Sequence, residues 1–205
     1  MDEHDSTPTL EECGLLGLAM LVAQRVEFLL YGIVSHLAHT PAGQKERRWR
    51  ELTPERFLRG DADELKATLG QLVEAFGDVL LIHSPELVEF YRDRNRIAHD
   101  YTRLYKLKIR GVAASGDGPA FLRTFTERAT HWEKVLHGVL AELKMAAARK
   151  EGREAEIRFT QRDQENIGIY RDQAHVHVMR KVAAGEIVLP DVDESAPAGD
   201  SAVTP

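Results

Sequence analysis

The chain is short of cysteine, of long apolar runs and of positive charge, and each shortage excludes a class of protein. A single cysteine, Cys13, forbids an intramolecular disulfide and fits a reducing compartment. The most apolar run, Gly14 to Ala23, ends at once in Gln24, Arg25 and Glu27. It falls well short of the ~20 residues a bilayer span requires, so no membrane association is expected. The start, MDEHDSTPTLEEC, lacks the basic opening and apolar centre of a secretory signal. A soluble, cytoplasmic protein is expected. Internal repeats are absent. GLLG (14–17) has neither a preceding strand nor a Walker lysine, so Gly14 and Gly17 read as places where helices approach closely.

What is present is an ordinary globular composition, 43% hydrophobic and 29% charged over 205 residues. That length suits one domain with extensions. The net charge of −6 argues against a polyanionic partner until its distribution is read. From Arg92 to Arg110 seven basic residues (Arg92, Arg94, Arg96, Arg103, Lys106, Lys108, Arg110) face two acidic ones (Asp93, Asp100), so this window carries +5 and the rest −11. At physiological salt the near neighbours set the local field, and such a stripe can dock a phosphate chain. KERRWR (45–50) adds a second basic knot, offering phosphate contacts and a stacking Trp49, or else a loop whose tryptophan packs on the bundle.

Apolar periodicity places most of the chain in helices. Leu15, Leu18, Val22, Val26, Leu29, Ile33 and Leu37 repeat at three and four, giving one helix over 10–38, and Leu16, Met20 and Leu30 widen its apolar surface. A helix so broadly apolar serves a bundle core, or both a core and a subunit interface. HTPAGQ (39–44) breaks it. Thr53 and Pro54 start a short turn that Gly60 ends. Asp61 or Asp63 caps a helix lined by Leu65, Leu69, Leu72, Val73, Phe76, Val79 and Leu80. Ser84, Pro85 and Glu86 start the next. RLYKLKIRGV (103–112) alternates as an extended arm or short strand would, and ASGDGP (114–119) is a loop. A last long helix spans about Pro119 to Arg153. The expected organisation is a flexible N-terminus (1–8), a helical domain (9–154), an extension without firm period (155–190) and a disordered acidic tail (191–205). The fold class is all-α, a bundle of four to five helices with a poorly defined C-terminal extension.

The stretch EFYRDRNRIAHDYTR (89–103) carries the chemistry. At about 100° per residue, Arg92, Asn95, Arg96 and His99 share one helix face, Leu87, Phe90, Ile97 or Ala98, and Tyr101 face the core, and Arg94 stands about 140° from His99. A purely structural reading exists, in which Glu89 and Asp93 pair with the arginines. The residue types also suit RNA self-cleavage, in which the 2′-OH attacks the neighbouring phosphorus. Histidine serves as base or acid near neutrality, and arginine's planar fork matches phosphate oxygens without a metal. One histidine and one arginine are too few for both proton transfers. Two chains across a two-fold axis would supply two of each.

RNRIAHDY (94–101) resembles the R-x4-H-x-Y signature of HEPN-domain toxins, the partners of minimal nucleotidyltransferase antitoxins. The resemblance covers roughly residues 10–150 and includes the four- or five-helix bundle with the motif on a late helix. It implies a metal-independent endoribonuclease without cofactors, acting on RNA as a homodimer in a toxin–antitoxin or phage-defence system. Arg94 would hold the phosphate charge and His99 move protons, with Asn95 orienting His99 and Arg92 and Arg96 in support. Tyr101 would be the hydroxyl that the antitoxin modifies with AMP, blocking RNA with bulk and negative charge. Arg103, Lys106, Lys108 and Arg110 would bind RNA. Arg92 also satisfies the looser spacing of the broader motif. Since some HEPN domains are inactive, the alternative is a non-catalytic HEPN-like module that binds a partner protein or nucleotidyltransferase.

Other motifs are weaker. His175 and His177 in AHVHV have a spacing that suits chelation on a strand but lack a third ligand nearby, and no metal is expected. Cys13 reads as a small core or interface residue. Glu11 and Glu12 are explained by a helix N-terminus.

Overall fold

The computed structural model describes residues 8–38, 40–44, 53–55, 69–106 and 116–188. The protein is an all-α bundle, with no strand among the described residues. Among the described residues five helices build it: α1 (Leu10–Leu37), α2 (Leu69–Phe76), α3 (Pro85–Asn95), α4 (Gly118–Lys150) and α5 (Gln161–Ala183). A single turn, Pro41–Gln44, follows α1, and a 3-10 turn, Glu154–Glu156, precedes α5. Past Asn95 the chain stays helical but changes pitch, through a π-helical turn at Arg96–Asp100 and a last α turn at Tyr101–Tyr105.

The two longest helices lie against each other and form the core. Helix α1 starts where the Thr9 hydroxyl accepts the Glu12 N–H at 3.2 Å. Its three-and-four spacing buries Ala19, Val22, Val26, Leu30 and Ile33. Helix α4, capped by Asp117, answers with Leu122, Phe125, Ala129, Trp132, Leu136 and Val139. The Phe90 ring of α3 stacks on Phe125 with centroids 5.0 Å apart. By length and composition α1 is apolar enough to cross a membrane. Here it packs on α4 and carries a buried Glu12 and an ion-paired Glu27.

Several elements differ from the sequence expectation. Helix α2 stops at Phe76, so Val79 leaves the apolar line and is half-exposed while Leu80 turns in. The stop is made by Gly77, whose carbonyl accepts the Ile82 and His83 N–H groups at 2.8 and 3.1 Å. Leu81 in this turn takes a left-handed φ of 55°. The arm or strand expected over 103–112 begins as helix up to Tyr105, and residues 107–115 lie outside the described ones. So do most of the Thr53–Gly60 turn, the start of the helix capped by Asp61 or Asp63, KERRWR, residues 1–7 of the expected N-terminus 1–8, and the tail.

The extension, whose sequence has no firm period, holds a 23-residue helix, α5, packed on α4. A capping box starts it: Thr160 accepts from the Asp163 N–H at 3.2 Å, and Asp163 accepts from the Thr160 N–H at 2.9 Å. At the crossing stands Gly138, where an added Cβ would lie 2.6 Å from Tyr170 Cβ and closer still to the Asn166 carbonyl oxygen. Only glycine allows this approach.

Candidate functional site

The site helix is fixed at its start by Ser84, whose Oγ accepts the Leu87 N–H at 3.2 Å, and by Pro85 in the first turn. Leu87, Phe90, Ile97 and Tyr101 all reach the core, and Ala98 stays outside. A regular helix would already set these four on one side. The π turn over Arg96–Asp100 bonds each N–H to the carbonyl five residues back and widens the helix at His99, just past Arg94. The wide turn takes His99 off the line it would share with Arg92 on a regular helix. Such turns recur at functional sites.

Each arginine has a different fate. Arg94 is only 23% exposed; its Nη2 donates to Glu27 Oε2 of α1 at 2.9 Å and its Nη1 to Asn95 Oδ1 at 3.1 Å. Its Nε is buried with no acceptor. Asn95, expected to orient His99, here accepts from Arg94. Arg96 donates to the buried Asp93 at 2.8 Å, and Asp93 also accepts from Arg128 of α4, which in turn lies 3.4 Å from Glu89. To that extent the structural reading of the stretch holds. Arg92 and His99 are exposed and have no partner among the described residues. Arg103 is exposed and paired with Asp100 at 2.9 Å. Lys108 and Arg110 lie outside the described residues.

Tyr101 and Lys106 face inward. The Tyr101 hydroxyl is buried and donates to Glu12 Oε1 at 2.6 Å, and Lys106 pairs with the other Glu12 oxygen. Burial, then the Glu12 hydrogen bond and charge, push the Tyr101 phenol well above its ordinary value. Burial alone would raise the Glu12 carboxyl, but the Lys106 and Tyr101 hydrogen bonds outweigh it and the group sits below its ordinary value. Glu12 therefore stands in the first turn of α1, as the sequence indicated, and is also a buried member of a network. Glu11, one position away, pairs with Arg123 instead.

Sequence reasoning missed Glu27 and Arg128. Each lies on another helix, 67 and 35 residues away from its partner in the stretch. The available signal for Glu27 was a carboxylate inside an otherwise apolar helix. The remaining candidates do not assemble. His175 and His177 stand on α5, where neighbours two apart point away from each other, so His175 is exposed and His177 buried. Ring nitrogen Nδ1 of His177 lies 2.8 Å from the His83 carbonyl oxygen. No group of three or more His, Cys, Asp or Glu among the described residues is placed to hold a metal ion. Cys13 is exposed and thus no core residue.

What the geometry offers chemically is an exposed imidazole, His99, with no acidic partner among the described residues, and on the same helical stretch a guanidinium, Arg94, held by Glu27 and Asn95. No family model, curated protein or solved structure matches this chain, so the arrangement stands on its own residues.

Proposed function

We propose that the chain is a metal-independent endoribonuclease of HEPN type, the toxin of a toxin–antitoxin or phage-defence system, working in the cytoplasm as a homodimer. The observation that supports this reading is the π turn that falls within the R-x4-H-x-Y stretch, a feature that recurs at functional sites. In the reaction, His99 takes the proton of the RNA 2′-OH, the 2′-oxygen bonds to phosphorus and the bond from phosphorus to the 5′-oxygen breaks. The partner's His99 returns a proton to that oxygen, leaving a 2′,3′-cyclic phosphate and a 5′-hydroxyl. Arg94 keeps free N–H donors beyond those given to Glu27 and Asn95, and these stabilise the charge on the phosphorane. Arg92 and Arg103 hold the RNA backbone. AMP transfer to Tyr101 by a nucleotidyltransferase-type antitoxin would first have to break the Glu12 bond, so it requires opening of this end of the helix.

A second reading, a non-catalytic HEPN-like module that binds a partner protein, is favoured by the pairing of Arg94 with Glu27 and of Arg96 with Asp93. RNA cleavage in the presence of a chelator separates the two. The expected result is cleavage by the wild type, a loss of about 100-fold or more in His99→Ala and Arg94→Ala, and a loss under about tenfold in Arg92→Ala, which forfeits only a phosphate contact. If Arg92→Ala is the inactive variant, Arg92 is the cation and the assignment moves. A wild type inert on several RNA classes, with Tyr101 shown by mass to be unmodified, establishes the binding module.

A further inference from the structure

Helix α5 buries one ionisable side chain that the candidate site does not use. His177 is 3% exposed. Its Nδ1 lies 2.8 Å from the His83 carbonyl oxygen, and its Nε2, 3.7 Å from Asp78 Oδ1, is buried with no hydrogen-bond partner. A carbonyl oxygen can only accept, and so can an ionised carboxylate. A neutral imidazole has one proton for these two acceptors. On Nδ1 it leaves the Nε2 lone pair dry and turned toward Asp78; on Nε2 it sets the Nδ1 lone pair against the carbonyl. Only the imidazolium puts a donor at both ends.

Neither oxygen is free to turn away. The His83 N–H donates to the Gly77 carbonyl at 3.1 Å, and the next residue, Ser84, caps the site helix. The second oxygen of Asp78 accepts from Lys181 Nζ at 3.1 Å. Other ionisable groups stand at this corner. The His83 ring, in the turn after α2, has its Nδ1 3.6 Å from the same Asp78 oxygen. Glu86 of α3 takes Arg180, and Lys181 also pairs with Glu186 beyond the end of α5. Among the described residues no side chain of α4 is ion-paired with Asp78, His83 or His177. Burial and Lys181 oppose a charge on His177, while Asp78 and the carbonyl favour it. The acceptors decide, because a buried nitrogen left without a partner costs more than repulsion from a lysine already held by two carboxylates.

We propose that His177 is a proton-operated latch for α5. On taking up a proton it donates to the His83 carbonyl and to Asp78 together, after a shift of roughly 1 Å that brings Nε2 to hydrogen-bond distance. The C-terminal half of α5 is then fastened to the turn that leads into the site helix. The docked helix holds this proton more tightly than the detached one. Docking is therefore strongest on the acid side of the range in which histidine titrates, and it weakens as pH rises through that range. The latch stands whether or not the chain cleaves RNA.

Amide exchange of the full chain is the test, read between about pH 5.5 and 8 with a chelator present and divided by the intrinsic rate at each pH. The opening constant over the C-terminal half of α5 is expected to rise about tenfold across that range, while the buried centres of α1 and α4 keep theirs. His177→Asn, which retains a donor for the His83 carbonyl and does not titrate, is expected to flatten the profile, and His83→Gln to preserve it. A second measurement needs no variant: NMR spectra of the ring nitrogens in the wild type at about pH 6 are expected to show a proton on both nitrogens of His177. A wild-type profile that is flat or slopes the other way, a slope kept in His177→Asn, or a neutral His177 ring at that pH with α5 docked would each overturn the proposal. Loss of the slope in His83→Gln would do the same, by assigning the proton to His83.

Discussion

The seam between α1 and α4 and the seam that holds α5 are built from opposite materials. Between α1 and α4 the buried groups are almost all hydrocarbon: Val22, Val26, Leu30 and Ile33 against Leu122, Phe125, Trp132 and Leu136. Helix α5 buries Ile167, but also Asn166 and His177. Its further hold is polar. The Tyr170 hydroxyl donates to the Leu80 carbonyl at 3.2 Å, Arg180 grips Glu86 through two bonds of 2.8 and 3.0 Å, and Lys181 donates to Asp78 at 3.1 Å. Apolar burial is non-directional and tolerant of solution conditions, whereas exposed ion pairs are screened by salt and weakened by acid. The first seam sets the stability of the fold, and the second sets whether α5 stays on it.

Truncation in the first seam gives the largest effect. Phe125→Ala removes a fully buried ring stacked on Phe90, and a loss of about 3–5 kcal/mol is expected in urea denaturation. That is a large part of the total stability of a typical domain. An effect below about 1 kcal/mol would mean that the centre of the bundle lies elsewhere.

Next in size is a change that parts the seams. Gly138→Val puts side-chain atoms where the Asn166 carbonyl and Tyr170 now lie, at a cost of about 1–3 kcal/mol despite the better helix propensity of valine over glycine. The expected outcome is detachment of α5 alone, read as faster amide exchange over 161–183 with the α1 and α4 amides still protected. Uniform loss of protection in all three helices would show that the seams are one cooperative unit.

The smallest effect is an acid-dependent one. The Arg180 hydrogen bonds draw the Glu86 carboxyl down from 4.5 to about 2, against the opposing effect of its own desolvation. A carboxyl lowered in the folded state adds stability above its unfolded value and loses that contribution as pH falls through the folded one. Amide exchange at the C-terminal end of α5 should therefore quicken between pH 4.5 and about 2. Glu86→Gln should flatten this dependence. Because both partners are well exposed, the contribution is that of a screened surface pair. An unchanged pH profile in Glu86→Gln would assign the acid sensitivity to another carboxyl, with Asp163, lowered by its Thr160 bonds, the next to test.

The same contrast explains what the sequence made legible. The boundaries of α1, the start of α4 and the Ser84–Pro85 start of the site helix follow from hydrocarbon period and capping residues, which are local. Helix α5 is less legible because polar fastening leaves no firm apolar period: AHVHVMRK alternates as a strand does, yet it is helical with His177 inward. The site was legible as a set of residue types and not as a set of pairs. Arg94, His99 and Tyr101 stand out in the chain, but Glu27, Arg128 and Glu12 become partners only through packing. The π turn has no sequence signal of its own.

That turn also divides the helix into two segments out of phase with each other. Its wider pitch acts as one residue inserted into a regular helix. The part before it is registered on α4 through the Phe90–Phe125 stack, and the part after it on the start of α1 through Tyr101 and Glu12. The extra residue is a mechanical splice that lets two neighbours at different angles grip one rod, and the segment between Arg94 and His99 is where the splice is made.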